Sequence, residues 1–368
     1  MKNATLNAHT SISNLHRPPY AIDGLSSIFR NGTQKKFNFL KDQCEDSLEI
    51  SLAAAFRYHF ECPGKMLRAQ LAYESARAHS ASEADAERWG FAVELVHNAS
   101  LLHDDICDSD YLRRGRASVM AKFGHQTALC LGDGLLAHAF AILARESIPR
   151  ALIAKLASMI RSCSGGQAQE FAHVDYPDWS RYCEIAQGKT ASLLAGAVEG
   201  GALFDPVIES IPRLSDCCSR LALIYQILND VKNIDSAICE NTQATDFCNV
   251  RPNALIVLYR DTLTPEDRKD FDNSLNKARL SPVTSQNRVE NLWWETLIES
   301  DIRYAVQDKI GSIMAETELK LSQLPSALQN VLYPLLIHAK NSIAKQSLPL
   351  NNQKVLFTKE RNGKLPQG

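Results

Sequence analysis

Apolar positions recur at intervals of three and four residues along most of the chain. Over 88–105, "RWGFAVELVHNASLLHDD", they fall at i, i+4, i+5, i+8 and i+11, counted from Phe91 to Leu102. This spacing places them on one face of an α-helix, and strict alternation never lasts long enough to predict a strand. The same pattern predicts further helices over 128–144, 151–172, 182–204, 217–234 and 327–344.

The segments between the predicted helices are mostly short and polar, with longer connections at 239–253 and 280–294. We therefore predict an all-α fold, a single-domain bundle of long helices over 36–346 whose central helices are buried nearly all round. Polar stretches at 1–35 and 347–368 are predicted to be tails on either side of this bundle.

The composition narrows the class of function. The 368 residues are 45% hydrophobic and carry a formal net charge of −2, which argues against nucleic-acid binding because that needs a basic surface. The polar N-terminal stretch lacks the apolar region of a secretory signal, and no run approaches the roughly 18 apolar residues of a membrane span. The ten cysteines are scattered, which favours free thiols and a cytoplasmic protein.

Four acids stand within the seven residues "DDICDSD" at 104–110. Asp104 and Asp108 are four positions apart, so on a helix they share a face. Carboxylates roughly 4 to 6 Å apart repel each other by a few kcal/mol at an effective dielectric near 20, so such a pair needs either a bound cation or a helix end open to water. Arg113 and Arg114 follow at once. Carboxylates beside guanidinium groups suit a phosphorylated ligand that arrives with Mg²⁺.

The stretch "HDDICDSDYLRRG" at 103–115 resembles the first aspartate-rich motif, DDxxD followed by RRG, of the trans-isoprenyl (polyprenyl) diphosphate synthase family. Five further stretches resemble motifs of that family, in the family's order: "PGKMLR" at 63–68, "ELVHNASLLHDD" at 94–105, "LGDGLL" at 131–136, "GGQAQE" at 165–170 and "GKTASLL" at 188–194. The combination is highly specific. It implies an isoprenoid synthase-like bundle around a deep apolar cavity, a prenyltransferase activity and a homodimer.

The resemblance also implies roles for individual residues. Asp104 and Asp108 would ligate Mg²⁺ bound to an allylic prenyl diphosphate, with Asp105 supporting them, and Lys189 would join the first two as a catalytic residue. The allylic diphosphate would further contact Arg113, Lys189, Thr190, Gln226 and Arg251. Isopentenyl diphosphate would be held by Lys65, Arg68, His97 and Arg114. Taken alone, His97 also fits a core histidine and Lys189 a surface lysine.

The second aspartate-rich motif of the family, FQxxDDxxD, is altered in this chain. The corresponding stretch is "YQILNDVKN" at 225–233, in which Asn229 and Asn233 replace the outer acids and Lys232 adds a positive charge. Asp230 alone keeps its carboxylate, and the resemblance makes it a metal ligand. Because an amide oxygen lacks the charge of a carboxylate, we expect metal on this side to bind more weakly or in a different arrangement. Downstream, Asp246 and Arg251 survive from the family's D-L-x-x-G-K-x-T-x-P sequence.

Three functions remain open at this point. The first is a chain-elongating prenyltransferase, which the complete isopentenyl diphosphate set favours. The second is a class I terpene cyclase, or an enzyme of irregular prenyl coupling, which the Asn-Asp start of the altered motif favours. The third is a non-catalytic regulatory subunit of a prenyl synthase. For the first, the resemblance makes Ala99, five residues before Asp104, the floor beneath the growing tail, and its small side chain then implies an open floor and a product of twenty carbons or more.

Overall fold

The structure is a computed structural model that describes residues 37–171, 175–205, 211–240, 242–279 and 291–346. Its helices are α1 (37–47), α2 (Ile50–Glu61), α3 (Leu67–Ala78), α4 (Glu83–Cys107), α5 (Val119–Phe123), α6 (His125–Leu143), α7 (Ala151–Phe171), α8 (Trp179–Ala186), α9 (Ser192–Ala202), α10 (Ile211–Glu240), α11 (Thr245–Cys248), α12 (Ala254–Thr262), α13 (Pro265–Arg279), α14 (Asn291–Glu299), α15 (Ile302–Leu321) and α16 (Ser326–Gln346). A π-helical turn (Gln187–Ala191) joins α8 to α9, and strands β1 (Leu112–Arg113) and β2 (Arg116–Ala117) form a hairpin.

Helix α4 runs through the interior and ends at the acidic motif. The Ser82 side chain accepts a hydrogen bond from the Asp85 N–H, and Glu83 and Asp85 occupy the first turn, where carboxylates interact favourably with the helix dipole. From Trp89 to Leu102 the helix is buried nearly all round, as the apolar pattern predicts. This burial brings the charged end of α4 to the rim of an apolar interior.

The core consists of two apolar clusters that meet at α9. One is built mainly from α1 to α7 and the other mainly from α10, α12, α15 and α16. Leu193 belongs to the first cluster and Leu194 to the second, so consecutive side chains of α9 pack on both. The most deeply buried large side chains include Trp89, Phe91, Leu95 and Leu131 in the first cluster and Tyr182, Phe247 and Phe271 in the second.

The described part of the chain confirms the all-α prediction, since its strands are limited to the short hairpin. The helix predicted over 182–204 is interrupted by the π-helical turn, and the 239–253 connection contains α11. The predicted 280–294 connection ends sooner than expected because α14 begins at Asn291, and Trp294 of α14 packs on Phe247 with ring centroids 5.3 Å apart. Residues 280–290 and both predicted tails lie outside the described residues, so the limits of the domain stay predictions.

All ten cysteines are free thiols, as predicted. In the part of the chain that the structure describes, α6 is long and apolar enough to cross a membrane when judged by length and composition alone. One face of α6 packs in the first apolar cluster through Leu131, Leu135 and Ala139. The opposite face carries the half-exposed Leu129.

Candidate active site

The acidic motif ends α4, and a tight hairpin brings the arginines back beside it. Asp108 caps the C-terminus of α4. Arg113 pairs with Arg116 across the hairpin, and the turn residues Arg114 and Gly115 have φ values of 55° and 78°. Two consecutive left-handed residues are what a two-residue hairpin turn requires, and glycine adopts that conformation without strain. The glycine of the Arg-Arg-Gly sequence therefore has a geometric role, since it turns Arg113 back towards the acids.

Asp105 is the most deeply buried acid of the motif, with 1% of its surface exposed. Its Oδ1 accepts a hydrogen bond from Arg113 Nε at 2.8 Å and a second one from Nη2 of the same guanidinium. Burial raises the pKa of Asp105, and Arg113 opposes that effect. Oδ2 of Asp105 is buried without a hydrogen-bond partner among the described residues. The structure thus places Asp105 where it orients Arg113.

Lys189 and Glu170 face Asp104 from the opposite side of the site. Lys189 Nζ donates a hydrogen bond to Glu170 Oε2 at 2.8 Å. Burial raises the pKa of Asp104 to about 6; Lys189 opposes this shift, and the charge of Asp108 adds to it. Burial alone would lower the pKa of Lys189, but Asp104 and Glu170 outweigh it and raise that pKa. A permanently charged ammonium therefore lies beside a carboxylate that titrates close to neutral pH.

Arg251 reaches the same motif from the connection before α12. Its Nη2 lies 2.8 Å from Asp110 Oδ1 and 3.5 Å from Asp108 Oδ2. The side chains of Arg251 and Asp108 are only 19% and 8% exposed, so solvent screens this pair weakly. Burial raises the pKa of Asp108, and Arg251 opposes the shift. The guanidinium thus joins the end of α4 to a segment that lies 141 positions further along the chain, counted from Asp110 to Arg251.

Lys189 and Thr190 lie on the π-helical turn, a wider turn that is frequent at functional sites. This turn meets α7 backbone to backbone, because a Cβ placed on Gly166 would lie 2.5 Å from the Lys189 nitrogen. Beside that contact, both polar side-chain atoms of Gln167 are buried without a hydrogen-bond partner among the described residues. A buried amide with no partner is costly, which indicates that a bound ligand or water completes its hydrogen bonds.

A chain of hydrogen bonds runs from the π-helical turn into α10. Thr190 Oγ1 donates to Gln226 Oε1 at 2.8 Å, and Gln226 Nε2 donates to Asp230 Oδ1 at 2.8 Å. The other carboxylate oxygen of Asp230 accepts hydrogen bonds from the Tyr182 hydroxyl at 2.7 Å and from the Ala254 N–H at 2.8 Å. Burial and the charge of Asp246 raise the pKa of Asp230. The side chain of Asp230 therefore lies inside a network of protein donors.

The four residues predicted to hold isopentenyl diphosphate lie close together and form a basic cluster. Lys65 and Arg68 lie on either side of the start of α3, His97 is on α4, and Arg114 is in the hairpin turn. Arg68 Nη1 lies 3.3 Å from His97 Nε2. The Arg114 guanidinium packs so closely on Gly64 that a Cβ there would lie 2.8 Å from Nη2, and the half-buried Lys65 follows directly. Burial lowers the pKa of His97, and Arg68 and Arg114 lower it further. His97 is therefore a neutral ring beside two permanent cations.

Glu94 is a buried carboxylate behind this basic cluster, with 3% of its surface exposed. Its Oε1 accepts a hydrogen bond from Asn98 Nδ2 at 2.9 Å, and Asn98 Oδ1 lies 2.8 Å from His59 Nε2. Oε2 of Glu94 has no hydrogen-bond partner among the described residues. Burial raises the pKa of Glu94, whereas Arg68 and Arg114 oppose that shift. Glu94 is thus a buried carboxyl group close to the two arginines of the cluster.

Several residues of the site were not predicted to have a role. Glu170 pairs with Lys189 and Asp110 with Arg251, yet both stand in stretches whose motif character was visible in the sequence. Glu94 likewise opens the "ELVHNASLLHDD" stretch. Tyr182 carries no comparable signal, because its hydrogen bond to Asp230 joins residues 48 positions apart.

Ala99 is fully buried in the first apolar cluster. It lies on α4 roughly 7.5 Å from Asp104, at 1.5 Å per residue. Its small side chain is surrounded by the apolar core rather than by solvent. Its predicted role as the floor beneath a prenyl tail stays a prediction.

The donor set at the end of α4 fits a hard divalent cation. Asp104 and Asp108 offer carboxylate oxygens, and Mg²⁺ usually takes one or two carboxylates and completes its shell with water and phosphate oxygens. Within the described ranges, no group of three or more His, Cys, Asp or Glu side chains is arranged to hold a metal ion. The site therefore suits a metal that arrives with a phosphorylated ligand. Asp230 differs from these two acids, because it is buried and accepts three hydrogen bonds from protein donors.

The chain is similar in sequence to known proteins. The sequence model of the polyprenyl synthetase family matches residues 49–291. The short chain isoprenyl diphosphate synthase of Methanothermobacter thermautotrophicus is 28% identical over 253 residues, which cover 66% of this chain and 77% of that protein.

Solved structures share the fold. A decaprenyl diphosphate synthase from Rhodobacter capsulatus has a TM-score of 0.75 at 19% identity and covers 88% of this chain and 99% of its own. A polyprenyl synthase from Caulobacter crescentus, complexed with calcium and isoprenyl diphosphate, has a TM-score of 0.70 at 23% identity and covers 88% of this chain and 98% of its own. The fold is thus the all-α isoprenoid synthase fold. The chain belongs to the polyprenyl synthetase family and is a prenyltransferase of the polyprenyl diphosphate synthase type.

Proposed function

We propose that this protein is a Mg²⁺-dependent trans-prenyltransferase that condenses an allylic prenyl diphosphate with isopentenyl diphosphate to give a longer prenyl diphosphate for isoprenoid or terpenoid biosynthesis. The observation that carries the proposal is the end of α4, where Asp104 and Asp108 face the cations Lys189 and Arg251 at the rim of an apolar core. This arrangement combines metal ligands, diphosphate ligands and an apolar lining in one place.

The side chains around Asp104 would bind and orient the allylic diphosphate. Mg²⁺ held there would act as a Lewis acid on the departing diphosphate. Lys189 would stabilise the same negative charge by a point charge, and Arg113, fixed by Asp105, by a planar fork. Thr190 donates its hydroxyl hydrogen to Gln226, so the second N–H of the Gln226 amide would supply a neutral hydrogen bond at the same edge. The allylic C–O bond then breaks with its electron pair on the diphosphate.

The basic cluster would hold the second substrate at its diphosphate. Arg68, Arg114 and Lys65 provide the charge, and His97 adds a ring nitrogen whose pKa is lowered by burial and, further, by the two arginines. The apolar walls exclude water from the allylic cation. The double bond of isopentenyl diphosphate attacks this cation, a proton is lost, and the product is one five-carbon unit longer.

The decisive experiment compares purified protein with Mg²⁺ and farnesyl diphosphate in the presence and absence of isopentenyl diphosphate. We expect longer prenyl diphosphates only when both substrates are present. Hydrocarbons or alcohols from farnesyl diphosphate alone would identify a terpene cyclase instead. No turnover in either case, combined with tight binding to an active prenyl synthase, would identify a regulatory subunit.

The small residue at position 99 supports a product of twenty carbons or more, such as geranylgeranyl diphosphate. Ala99→Phe should shorten the longest product by at least one five-carbon unit. Overpacking a core costs about 1 to 3 kcal/mol, so Ala315→Phe on the exposed surface of α15 serves as a matched control. An unchanged product from folded Ala99→Phe protein would show that the floor lies elsewhere.

The proposal includes a cytoplasmic homodimer. The outer face of α6, with Leu129 50% exposed, is the apolar surface that supports self-association. Light scattering after chromatography should give twice the chain mass of 40.9 kDa, and Leu129→Glu should shift it towards the monomer. Cell fractionation should recover the protein in the soluble fraction, and recovery in membranes would contradict the proposed location.

A further inference from the structure

The side chains of the altered second motif face an adjoining segment of the chain rather than the first motif. Asn233 Nδ2 donates to Thr245 Oγ1 at 3.1 Å, and its Oδ1 accepts from the Asp246 N–H at 3.4 Å. Asp230 Oδ2 accepts from the Ala254 N–H at 2.8 Å. Both ends of residues 245–254 are therefore tied to α10 by the positions where the family carries acids.

Protein donors fill three of the roughly four acceptor positions of the Asp230 carboxylate. Oδ1 accepts from Gln226, and Oδ2 accepts from both Tyr182 and Ala254, all at 2.7 to 2.8 Å. The residue is 2% exposed. A metal ion at Oδ2 would have to displace a buried donor and leave it unpaired, which is costly. Oδ1 keeps one acceptor position beside Gln226, but burial of the side chain restricts access of a hydrated ion to it.

The segment that α10 holds in place carries a cation to the first motif. Tyr176 anchors the backbone of this segment. Its hydroxyl donates a hydrogen bond to the Arg251 carbonyl oxygen at 2.7 Å and accepts one from the Asn253 N–H at 3.1 Å. From this anchored backbone the Arg251 guanidinium extends to Asp108 and Asp110. Two carboxylates that would otherwise repel each other are thus bridged by a protein group with a fixed positive charge.

We propose that Asp230 is a positioning residue and not a metal ligand in this chain. Through the 245–254 segment it holds Arg251 against the first motif, and through Gln226 it fixes the direction of the hydrogen bond made by Thr190. All divalent ions then enter through the Asp104 and Asp108 side. This inference rests on the proposed function, because it assigns the metal and diphosphate roles from it.

The direction of the Thr190 hydrogen bond follows from what a carboxylate accepts. With Asp230 as the acceptor, the Gln226 amide must present its NH₂ group to Asp230 and its oxygen to Thr190. An asparagine at 230 that keeps its oxygen towards Tyr182 and Ala254 would present its own NH₂ to Gln226. The Gln226 amide would then turn over and make Thr190 an acceptor. An isosteric change can therefore disturb the diphosphate site without removing a metal ligand.

The test counts bound Mn²⁺ by electron paramagnetic resonance in the full chain, with the unreactive analogue farnesyl S-thiolodiphosphate present. Asp230→Asn should keep the number of bound Mn²⁺ ions and their Kd within about twofold of wild type, while kcat for elongation falls about tenfold. Tyr182→Phe removes one donor to Asp230 and no candidate ligand, so it should show the same pattern at smaller amplitude. Arg251→Gln combined with Asp230→Asn should cost less than the product of the two single effects, since both act through one contact.

Loss of one bound Mn²⁺, or a tenfold weaker Kd, in folded Asp230→Asn protein would overturn the inference. An unchanged kcat in both Asp230→Asn and Tyr182→Phe would overturn it equally, because no positioning role would remain. Failure of the proposed function looks different, since wild-type protein would then form no elongated product from farnesyl diphosphate and isopentenyl diphosphate, whatever its Mn²⁺ count. Thermal unfolding of each variant identifies the samples that are folded.

Discussion

The two motif regions of this protein hold their acids in opposite ways. At the end of α4, Asp104 and Asp108 lie at the rim of the core and are balanced by cations from distant segments, Lys189 and Arg251. On α10, Asp230 is buried and accepts three hydrogen bonds from protein donors. A carboxylate at the rim can exchange its protein cation for a metal, whereas a buried one that accepts three protein hydrogen bonds stabilises the fold instead. The presence of an acid in a motif therefore does not establish that it binds metal.

The largest effect should come from removing the charge at the end of α4. Asp104→Asn and Asp108→Asn should each lower kcat about 10³-fold or more, because metal-assisted charge stabilisation supplies several kcal/mol. Steady-state kinetics at saturating Mg²⁺ measure this, with Asp270→Asn on the exposed surface of α13 as the control. Activity within tenfold of wild type in the double variant, or activity that survives chelation of the metal, would remove the basis of the proposed function.

Two lysines allow the two motif regions to be compared directly, one beside the first motif and one within the altered second motif. Lys189→Gln should lower kcat about 10²-fold, because the ammonium lies among Asp104, Glu170 and the expected diphosphate. Lys232→Gln, within the altered motif, should change kcat less than threefold. Equal losses in the two variants would mean that both regions contact the reacting diphosphate.

The raised pKa of Asp104 predicts a pH dependence of metal binding. Because the ionised carboxylate binds the cation and the pKa is about 6 instead of 3.8, affinity should be constant above pH 7. It should fall by up to tenfold per pH unit below pH 6. Mn²⁺ titration with the unreactive analogue measures the slope, and the titration of the analogue cancels when variants are compared.

Two variants make the assignment to Asp104 testable. In Asp104→Asn protein, the part of the fall in Mn²⁺ affinity below pH 6 that comes from this carboxylate should be absent. Asp108→Asn should keep the slope but shift it to lower pH, because the charge of Asp108 contributes to the raised pKa of Asp104. The same slope in wild type and Asp104→Asn would assign the titration to another group.

The smallest effect is expected from restoring an acid on α10. Asn229 is half-buried, and its side chain makes no hydrogen bond within the described ranges, so Asn229→Asp adds a carboxylate that is free to turn towards a metal. The Mg²⁺ concentration for half-maximal rate should fall about three- to tenfold. Asn233→Asp should have less effect, since position 233 is engaged with Thr245 and Asp246. A larger effect at 233 than at 229 would reverse the assignment of these positions.

Much of this architecture could be predicted from the sequence because the relevant patterns are local. The apolar spacing from Phe91 to Leu102 predicts α4. The motif residues that come before and after this stretch in the sequence lie close to the ends of helices. The π-helical turn inside the predicted 182–204 helix has no such pattern, because it depends on the contact of two glycine backbones, Gly166 and Gly188, from different helices.

The inward orientation of Asp230 was equally out of reach. It depends on Tyr182 and Ala254, which lie 48 and 24 positions away along the chain. A sequence motif shows which side chains are present at a site, but it does not show which partner each of them contacts in the fold. The pairing of Arg251 with Asp108 and Asp110 was hidden for the same reason, since nothing near either sequence position names the other.

The hairpin of β1 and β2 connects the acidic motif to the basic cluster. Arg113 and Arg114 are consecutive, yet one is tied to Asp105 and the other packs on Gly64. Because the two arginines share one peptide unit, displacement of one guanidinium also strains the backbone of the other residue. If the two diphosphates bind as proposed, the six residues of the hairpin would couple their sites, and a substitution at Gly115 would alter that coupling.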